Sequence, residues 1–235
     1  LGPTGYGDSP YQSVSTFAGN PYFISLEDLI EEKLLTREEC ESCNWGGSEA
    51  YVDYEKMYMS RYKLLRKAYE RSDFLKDKDY ETFLKEEKNW LTDYCLFMAI
   101  KNSQKGICWI DWPDELKDRH SKAVKEAEKE LETEINFYRF QQYCFTTQWR
   151  KLKKYANKKG ISIIGDVPIY VALDSSDAWA NPEMLQFDKD HNPKSVAGCP
   201  PDAFSATGQL WGNPLYDWKK LKASGYDWWI QRMKH

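Results

Sequence analysis

No stretch of these 235 residues approaches the ~20 consecutive apolar residues that a membrane-spanning helix needs. No charged start followed by an apolar core opens the chain, so no secretory signal is visible. Charge of one sign is not concentrated anywhere. Thirty-three Lys and Arg alternate with 37 Asp and Glu for a net −4, which leaves no basic stripe for a phosphate backbone and argues against nucleic acid as the main partner. Histidine is scarce: His120, His191 and His235 are far apart. Cys40 and Cys43 are the only close cysteine pair among six, without the second Cys or His pair that a structural zinc requires. The cysteines therefore read as reduced thiols of a cytoplasmic protein, and a structural zinc is not expected. Also lacking are G-x-S-x-G, H-E-x-x-H, and the Gly-Lys-Ser/Thr or G-x-G-x-x-G spacing that would make Gly5-Tyr-Gly7 a nucleotide loop. There is no internal repeat and no low-complexity tract.

Aromatic residues, by contrast, are abundant: 10 Trp, 16 Tyr and 10 Phe make up 15% of the chain. Many belong to helical stripes. Tyr51, Tyr54, Tyr58, Tyr62, Leu65 and Tyr69 recur at three- and four-residue steps, as do Tyr80, Phe83, Trp90, Leu91, Tyr94 and Met98, and later Ile135, Tyr138, Gln142, Phe145, Trp149 and Leu152. Each set predicts an amphipathic helix with one buried stripe. A Gly106–Pro113 break interrupts them. Ser25, with Asp28 three residues on, predicts a helix start and a helix running to Glu41. Lys159-Gly160 predicts a helix end, and the β-branched run over 161–172 predicts a buried strand. The segment 173–217 reads as one long non-periodic loop of the kind that usually serves a site, with a turn at Asp188–Pro193 between short strands. The chain opens at Leu1 inside a Gly/Pro-rich loop and stops at His235 in an amphipathic pattern without a cap. It is therefore expected to be an internal piece of a longer protein, and a barrel missing strands would expose an edge that aggregates.

The aromatics outside the stripes suit a site that stacks flat apolar faces and also hydrogen-bonds, as sugar rings require. The opening loop gathers Tyr6, Ser9, Tyr11 and Gln12 in one turn, which could equally be a packed structural turn. Asp166 follows Ile163-Ile164-Gly165. An acid at the C-terminal end of a strand is where a (β/α)₈ barrel places functional groups, although an ion pair bracing the barrel mouth remains open. Gln209, Trp211 and Asn213 lie in a Gly-punctuated loop over 205–214, with amides to read hydroxyls and an indole to stack on a ring. The alternative is a Trp that packs the loop onto the body. Asp166 and Asp202 could be offered as the carboxyl pair that retaining glycosidic chemistry needs ~5–5.5 Å apart, but nothing beside either in sequence sets its charge.

Several of these segments resemble the 4-α-glucanotransferases (amylomaltases). Leu1-Gly-Pro-Thr-Gly-Tyr-Gly-Asp-Ser-Pro-Tyr-Gln12, continuing to Phe17-Ala-Gly-Asn-Pro21, is similar to that family's early loop. Asn89-Trp-Leu, Asp93-Tyr94 and Trp112-Pro113 resemble its helical insertion. Gly165-Asp-Val-Pro-Ile-Tyr-Val171 and Asp177-Ala-Trp-Ala-Asn-Pro182 resemble its third barrel strand and following loop. Val196-Ala-Gly198, Pro200-Pro-Asp202 and Phe204-Ser-Ala-Thr-Gly-Gln-Leu-Trp-Gly-Asn-Pro-Leu-Tyr216 resemble its mobile active-site loop. The resemblance implies an α/β fold class: a partial (β/α)₈ TIM barrel with a large helical insertion subdomain. The expected division is 1–49 as a barrel segment with the substrate-binding loop, 50–158 as helical insertion and barrel helices, and 159–235 as the Asp166 strand, long loop and next helix. It further implies a retaining double displacement on α-1,4-glucans and maltooligosaccharides, with no cofactor. Tyr6, Ser9, Tyr11, Asp166, Gln209, Trp211 and Asn213 would be the substrate-binding residues. No catalytic residue is expected in this chain, because the family's nucleophile, in an Arg-x-Asp-His segment, and its acid/base Glu would both lie beyond His235. Two other readings stay open: a non-catalytic glucan-binding module, and a helical interaction module built on 50–158.

Overall fold

The computed structural model describes residues 2–235, with Tyr6 described by its backbone alone. Two compact units share the chain: one made of Leu1–Ala18, Thr92–Glu132 and Asp166–His235, the other of Gly19–Leu91 and Thr133–Gly165.

The second unit is helical: α1 (Leu26–Glu31), α2 (Arg37–Glu41), α3 (Tyr54–Arg71), α4 (Lys78–Glu86), and α8 (Glu132–Lys158) with its first residue excepted. Ser25 caps α1 as expected, its Oγ accepting from the Asp28 N–H at 3.1 Å. The single helix expected to run to Glu41 is in fact two. Lys33 turns left-handed at φ 62°, and Thr36 and Glu39 close a full capping box that starts α2 afresh. Leu64, Leu65 and Ala68 of α3 are buried, whereas Tyr51, Tyr54 and Tyr58 at the start of the predicted stripe are exposed. The unit's centre is a ring cluster in which Phe74 meets Tyr80 at 4.9 Å and Phe140 at 5.4 Å, and Tyr143 meets Phe83 at 5.4 Å. Gln142 of α8 holds Gly19 by both backbone groups, accepting at 2.7 Å and donating at 2.9 Å. No larger residue fits at Gly19, where a Cβ would stand 2.0 Å from the Phe145 ring. α8 ends at the predicted place, with Gly160 in the left-handed conformation and the Ile161 N–H returning to the Ala156 carbonyl at 3.0 Å.

The first unit contains α5 (Leu91–Ser103, whose first residue belongs to the other unit), α6 (Asp114–Lys117), α7 (Ser121–Glu130), α9 (Ser176–Ala180), α10 (Trp218–Ala223) and α11 (Asp227–Lys234). Among the described residues its sheet pairs β1 (Val196–Cys199) with β2 (Gln209–Pro214) antiparallel, bulged between Val196 and Gly198. Phe97, Trp112 and Trp179 form a buried triangle with centroids 5.4–5.8 Å apart. The stretch 173–217, expected to be a long, mostly non-periodic loop, carries a helix and a hairpin. The Asp188–Pro193 turn is present, flanked by an isolated Phe187–Pro193 bridge instead of strands.

The strand expected over 161–172 is not formed. Among the described residues no neighbouring strand pairs with it, and Ile164 is 94% exposed with Ile161, Ile163, Val167 and Ile169 also exposed. Without a ladder partner, β-branched composition alone does not make a strand.

Candidate functional site

Three distant segments of the first unit meet around Asp166. The opening loop forms a turn at Ser9-Pro10-Tyr11-Gln12, closed by the Gln12 N–H on the Ser9 carbonyl at 3.0 Å, with proline at the position whose φ it pre-sets. The Ser9 hydroxyl accepts from the Tyr11 N–H at 3.3 Å. That turn sends the Tyr11 hydroxyl to Asp166, donating to Oδ2 at 3.1 Å across 155 residues of sequence. The negative oxygen stabilises the phenol, so the hydrogen bond, then the charge, pushes the Tyr11 pKa up. Next door, Gln12 Nε2 donates to the Trp211 carbonyl at 3.0 Å and to Asn213 Oδ1 at 2.9 Å.

The hairpin that carries Gln209 and Trp211 is shaped by its glycines. A Cβ at Gly198 would stand 2.4 Å from the Gln209 carbonyl oxygen, and one at Gly208, already at φ 75°, would stand 2.5 Å from the Cys199 carbonyl oxygen. Asp202 closes the loop, its Oδ1 accepting from the N–H groups of Phe204 and Ser205 at 2.9 and 2.8 Å. Trp211 is 44% exposed, and its indole N–H donates to Gln209 Oε1 at 3.0 Å. Tyr170 lies 6.3 Å from that indole.

The backbone just after Asp166 is clamped by Tyr216, which follows β2, and by Arg232 of α11. The Tyr216 hydroxyl donates to the Ile169 carbonyl at 2.9 Å, and Arg232 Nη2 donates to the Pro168 carbonyl. Burial pushes the Tyr216 hydroxyl pKa up and pulls Arg232 down. Beneath the opening loop, buried Asp177 accepts from Thr16 twice, at 2.8 Å from N and 2.9 Å from Oγ1. Burial raises the Asp177 pKa, and the two Thr16 bonds oppose the shift.

Of the residues singled out in sequence, Tyr11 meets Asp166, and Trp211 and Asn213 are tied to the same turn through Gln12, while Ser9 and Gln209 contact only their sequence neighbours Tyr11 and Trp211. Asn213, expected to read ligand hydroxyls, is 4% exposed, and its amide is committed inside the protein: Oδ1 to Gln12 and Nδ2 to the Val171 carbonyl at 2.9 Å. It positions the hairpin. The Tyr6 side chain lies outside the described residues. Asp202 is turned onto its own loop and is not a partner of Asp166. Two residues gain a role that sequence reasoning did not assign. Gln12 bridges two loops, and its only signal was an amide inside an aromatic turn. Arg232 is one cation in a Trp-rich helix. Among the described residues no cluster of three or more His, Cys, Asp or Glu is placed to hold a metal, and all six cysteines are free thiols.

Comparison with known proteins gives one consistent family. The family described as 4-alpha-glucanotransferase matches residues 1–235. A 4-alpha-glucanotransferase of Clostridium butyricum is 48% identical over 235 residues, covering all of this chain and 48% of the relative. One from Thermus thermophilus is 44% identical over 238 residues, again covering all of this chain and 47% of the relative. Amylomaltase from Streptococcus agalactiae, solved in complex with acarbose, superposes with TM-score 0.94 at 40% identity over the whole chain and 48% of that structure. The chain thus spans about half the length of the relatives it matches.

Proposed function

The chain belongs to the 4-alpha-glucanotransferase family, and from that premise we propose that the protein carrying it transfers α-1,4-glucan segments between maltooligosaccharide or starch chains by a retaining double displacement. The proposed architecture is a partial (β/α)₈ barrel in which 1–49 supplies a substrate-binding loop, 50–158 the helical insertion, and 159–235 the Asp166 segment and its covering hairpin. In this reading Asp166, Tyr11, Ser9 and Gln209 bind glucan hydroxyls, with Tyr6 contributing from the same loop. Trp211 stacks on a glucose ring, and Asn213 and Gln12 hold the hairpin in register.

The observation that carries the reading is the Gln12 bridge. One side-chain amide ties the opening turn to the hairpin across 199 and 201 residues, while its neighbour Tyr11 reaches Asp166. Aromatic and amide groups from separate loops are thereby brought together, as recognition of a flat, hydroxyl-rich ligand requires. The complex of the Streptococcus agalactiae amylomaltase with acarbose supports the same ligand class. Retention needs two carboxyl groups ~5–5.5 Å apart. Asp166 is hydrogen-bonded to a tyrosine and Asp202 to its own loop, so we place the nucleophile and the acid/base outside this chain. A hairpin lying over the glucan would exclude water and favour a sugar hydroxyl as acceptor. Six free thiols support a reducing, cytoplasmic location.

Disproportionation of maltotriose, followed by glucose release, tests the assignment on the protein that carries the chain. Trp211→Ala is expected to lower kcat/KM at least tenfold, about 1.4 kcal/mol of transition-state stabilisation. Unchanged turnover would remove Trp211 from the site.

A further inference from the structure

A groove of about 420 Å³ opens on the first unit between the 185–194 segment and the start of α10, and none of the residues around Asp166 lines it. This volume falls in the range of small-molecule sites. Its apolar wall is Leu185, Phe187 and Trp218. Trp218 is 54% exposed and is held by Trp229 stacked at 6.2 Å and Tyr216 at 5.4 Å, so the indole is a fixed platform. Lys194, Lys219 and Lys220 also line the groove, and among the described residues none of their ammonium groups forms an ion pair.

The remaining lining groups decide the kind of ligand. Asp217 Oδ1 accepts from the N–H groups of Lys219 and Lys220 at 3.1 and 3.2 Å, so those two donors are already used and the ammonium groups are the cations that would hold an anion. Three lining cations less the Asp217 carboxylate leave two positive charges, and the Asp188 carboxylate, close enough to Lys194 for the two to interact, offsets part of them, so the surplus of one to two suits a phosphate monoester at its usual −1.5 to −2. Gln186 donates its Nε2 to the Tyr216 carbonyl at 2.9 Å, which leaves its amide oxygen as an acceptor. Together with Asp217 it gives the groove acceptors for hydroxyl donors, beside an aromatic platform suited to the face of a sugar ring.

We propose that this groove binds a phosphorylated hexose, either free or as a phosphate ester on a glucan chain. The proposal stands on residues separate from those of the glucan-transfer reading. Calorimetry and Trp fluorescence on the full chain test it with glucose 6-phosphate, a 6-phosphorylated maltooligosaccharide, glucose, inorganic phosphate and AMP. Saturable binding of a phosphorylated sugar is expected, weakened by added salt and by at least tenfold in Lys219→Ala/Lys220→Ala, a pair of exposed substitutions whose circular dichroism should match the parent. Trp218→Phe should abolish the fluorescence change while retaining part of the affinity. Binding of the free sugar phosphate supports a soluble ligand, and binding of the phosphorylated oligosaccharide alone supports a glucan-borne one. No binding by either, equal binding of inorganic phosphate or AMP, or undiminished affinity in the lysine variant overturns the proposal. Maltoheptaose titration of Trp211→Ala reads the other site, so the two can fail independently.

Discussion

Asp177 shows how a single buried carboxylate supports a site it never touches. Its two oxygens take the N–H and hydroxyl of Thr16, fixing the strip of backbone that follows the Tyr11–Gln12 turn. Asp177→Asn keeps the size but turns a donor toward one of those donors. We expect a loss of about 1–3 kcal/mol, the usual penalty for a buried group left unsatisfied. Urea denaturation of the variant checks this, and a midpoint equal to the parent's would show that Thr16 finds another partner. The same logic separates two amides that look equivalent in sequence. Gln209 is exposed and Asn213 is buried, so of the two only Gln209, whose Oε1 takes the Trp211 indole N–H, presents its amide at the surface. No pattern in the one-letter string distinguishes them, because the difference lies in which carbonyl happens to sit within 3 Å.

Among the elements, the hairpin and α2 depend on local rules that sequence does carry. Gly208 combines a left-handed φ with a backbone carbonyl where a Cβ would go. Gly208→Ala is therefore expected to loosen the hairpin, visible as faster amide exchange over 205–213 and a redder Trp emission. Unaltered exchange there would mean the loop is held elsewhere. At α2, Arg71 foremost, then Lys67 and the Thr36 N–H, hold the Glu39 carboxyl well below the usual range. A depressed carboxyl pKa contributes stability above the unfolded value of about 4.3, and that contribution fades as pH falls toward the folded value. The parent should thus lose stability on acidification from pH 5 to 3 more steeply than Glu39→Gln. Parallel pH profiles of the two would refute the coupling. The capping box behind this arrangement, Thr36 with Glu39, stands in the sequence in plain form, yet the Ser25–Glu41 pattern reads as one helix. The left-handed turn at Lys33, which no residue preference announces, makes it two.

For the molecule as a whole, the exposed apolar run Ile161, Ile163, Ile164, Val167 and Ile169 is the dominant surface feature. Such a run is a ready template for self-association. We expect the chain to self-associate in dynamic light scattering and to bind a hydrophobic dye, with Ile164→Lys/Ile169→Lys suppressing both. A monodisperse parent at high concentration would contradict this. The run was legible as β-branched and apolar, but a strand also needs a hydrogen-bonded neighbour, and composition is silent about where that neighbour is.

The sequence by itself determined the periodic elements, the helix start at Ser25, the helix stop at Gly160 and the family, because these follow from residue types at short, fixed spacings. It also singled out the aromatic and amide groups that we propose for the site. Only the tertiary structure decided that Tyr11 binds Asp166, that Gln12 joins two loops, that Asn213 faces inward and that Arg232 clamps the chain after Asp166. Those contacts join residues 42 to 201 positions apart, with Arg232 and Pro168 separated by 64. At such separations a hydrogen bond depends on where packing delivers its two ends, which local propensity does not encode.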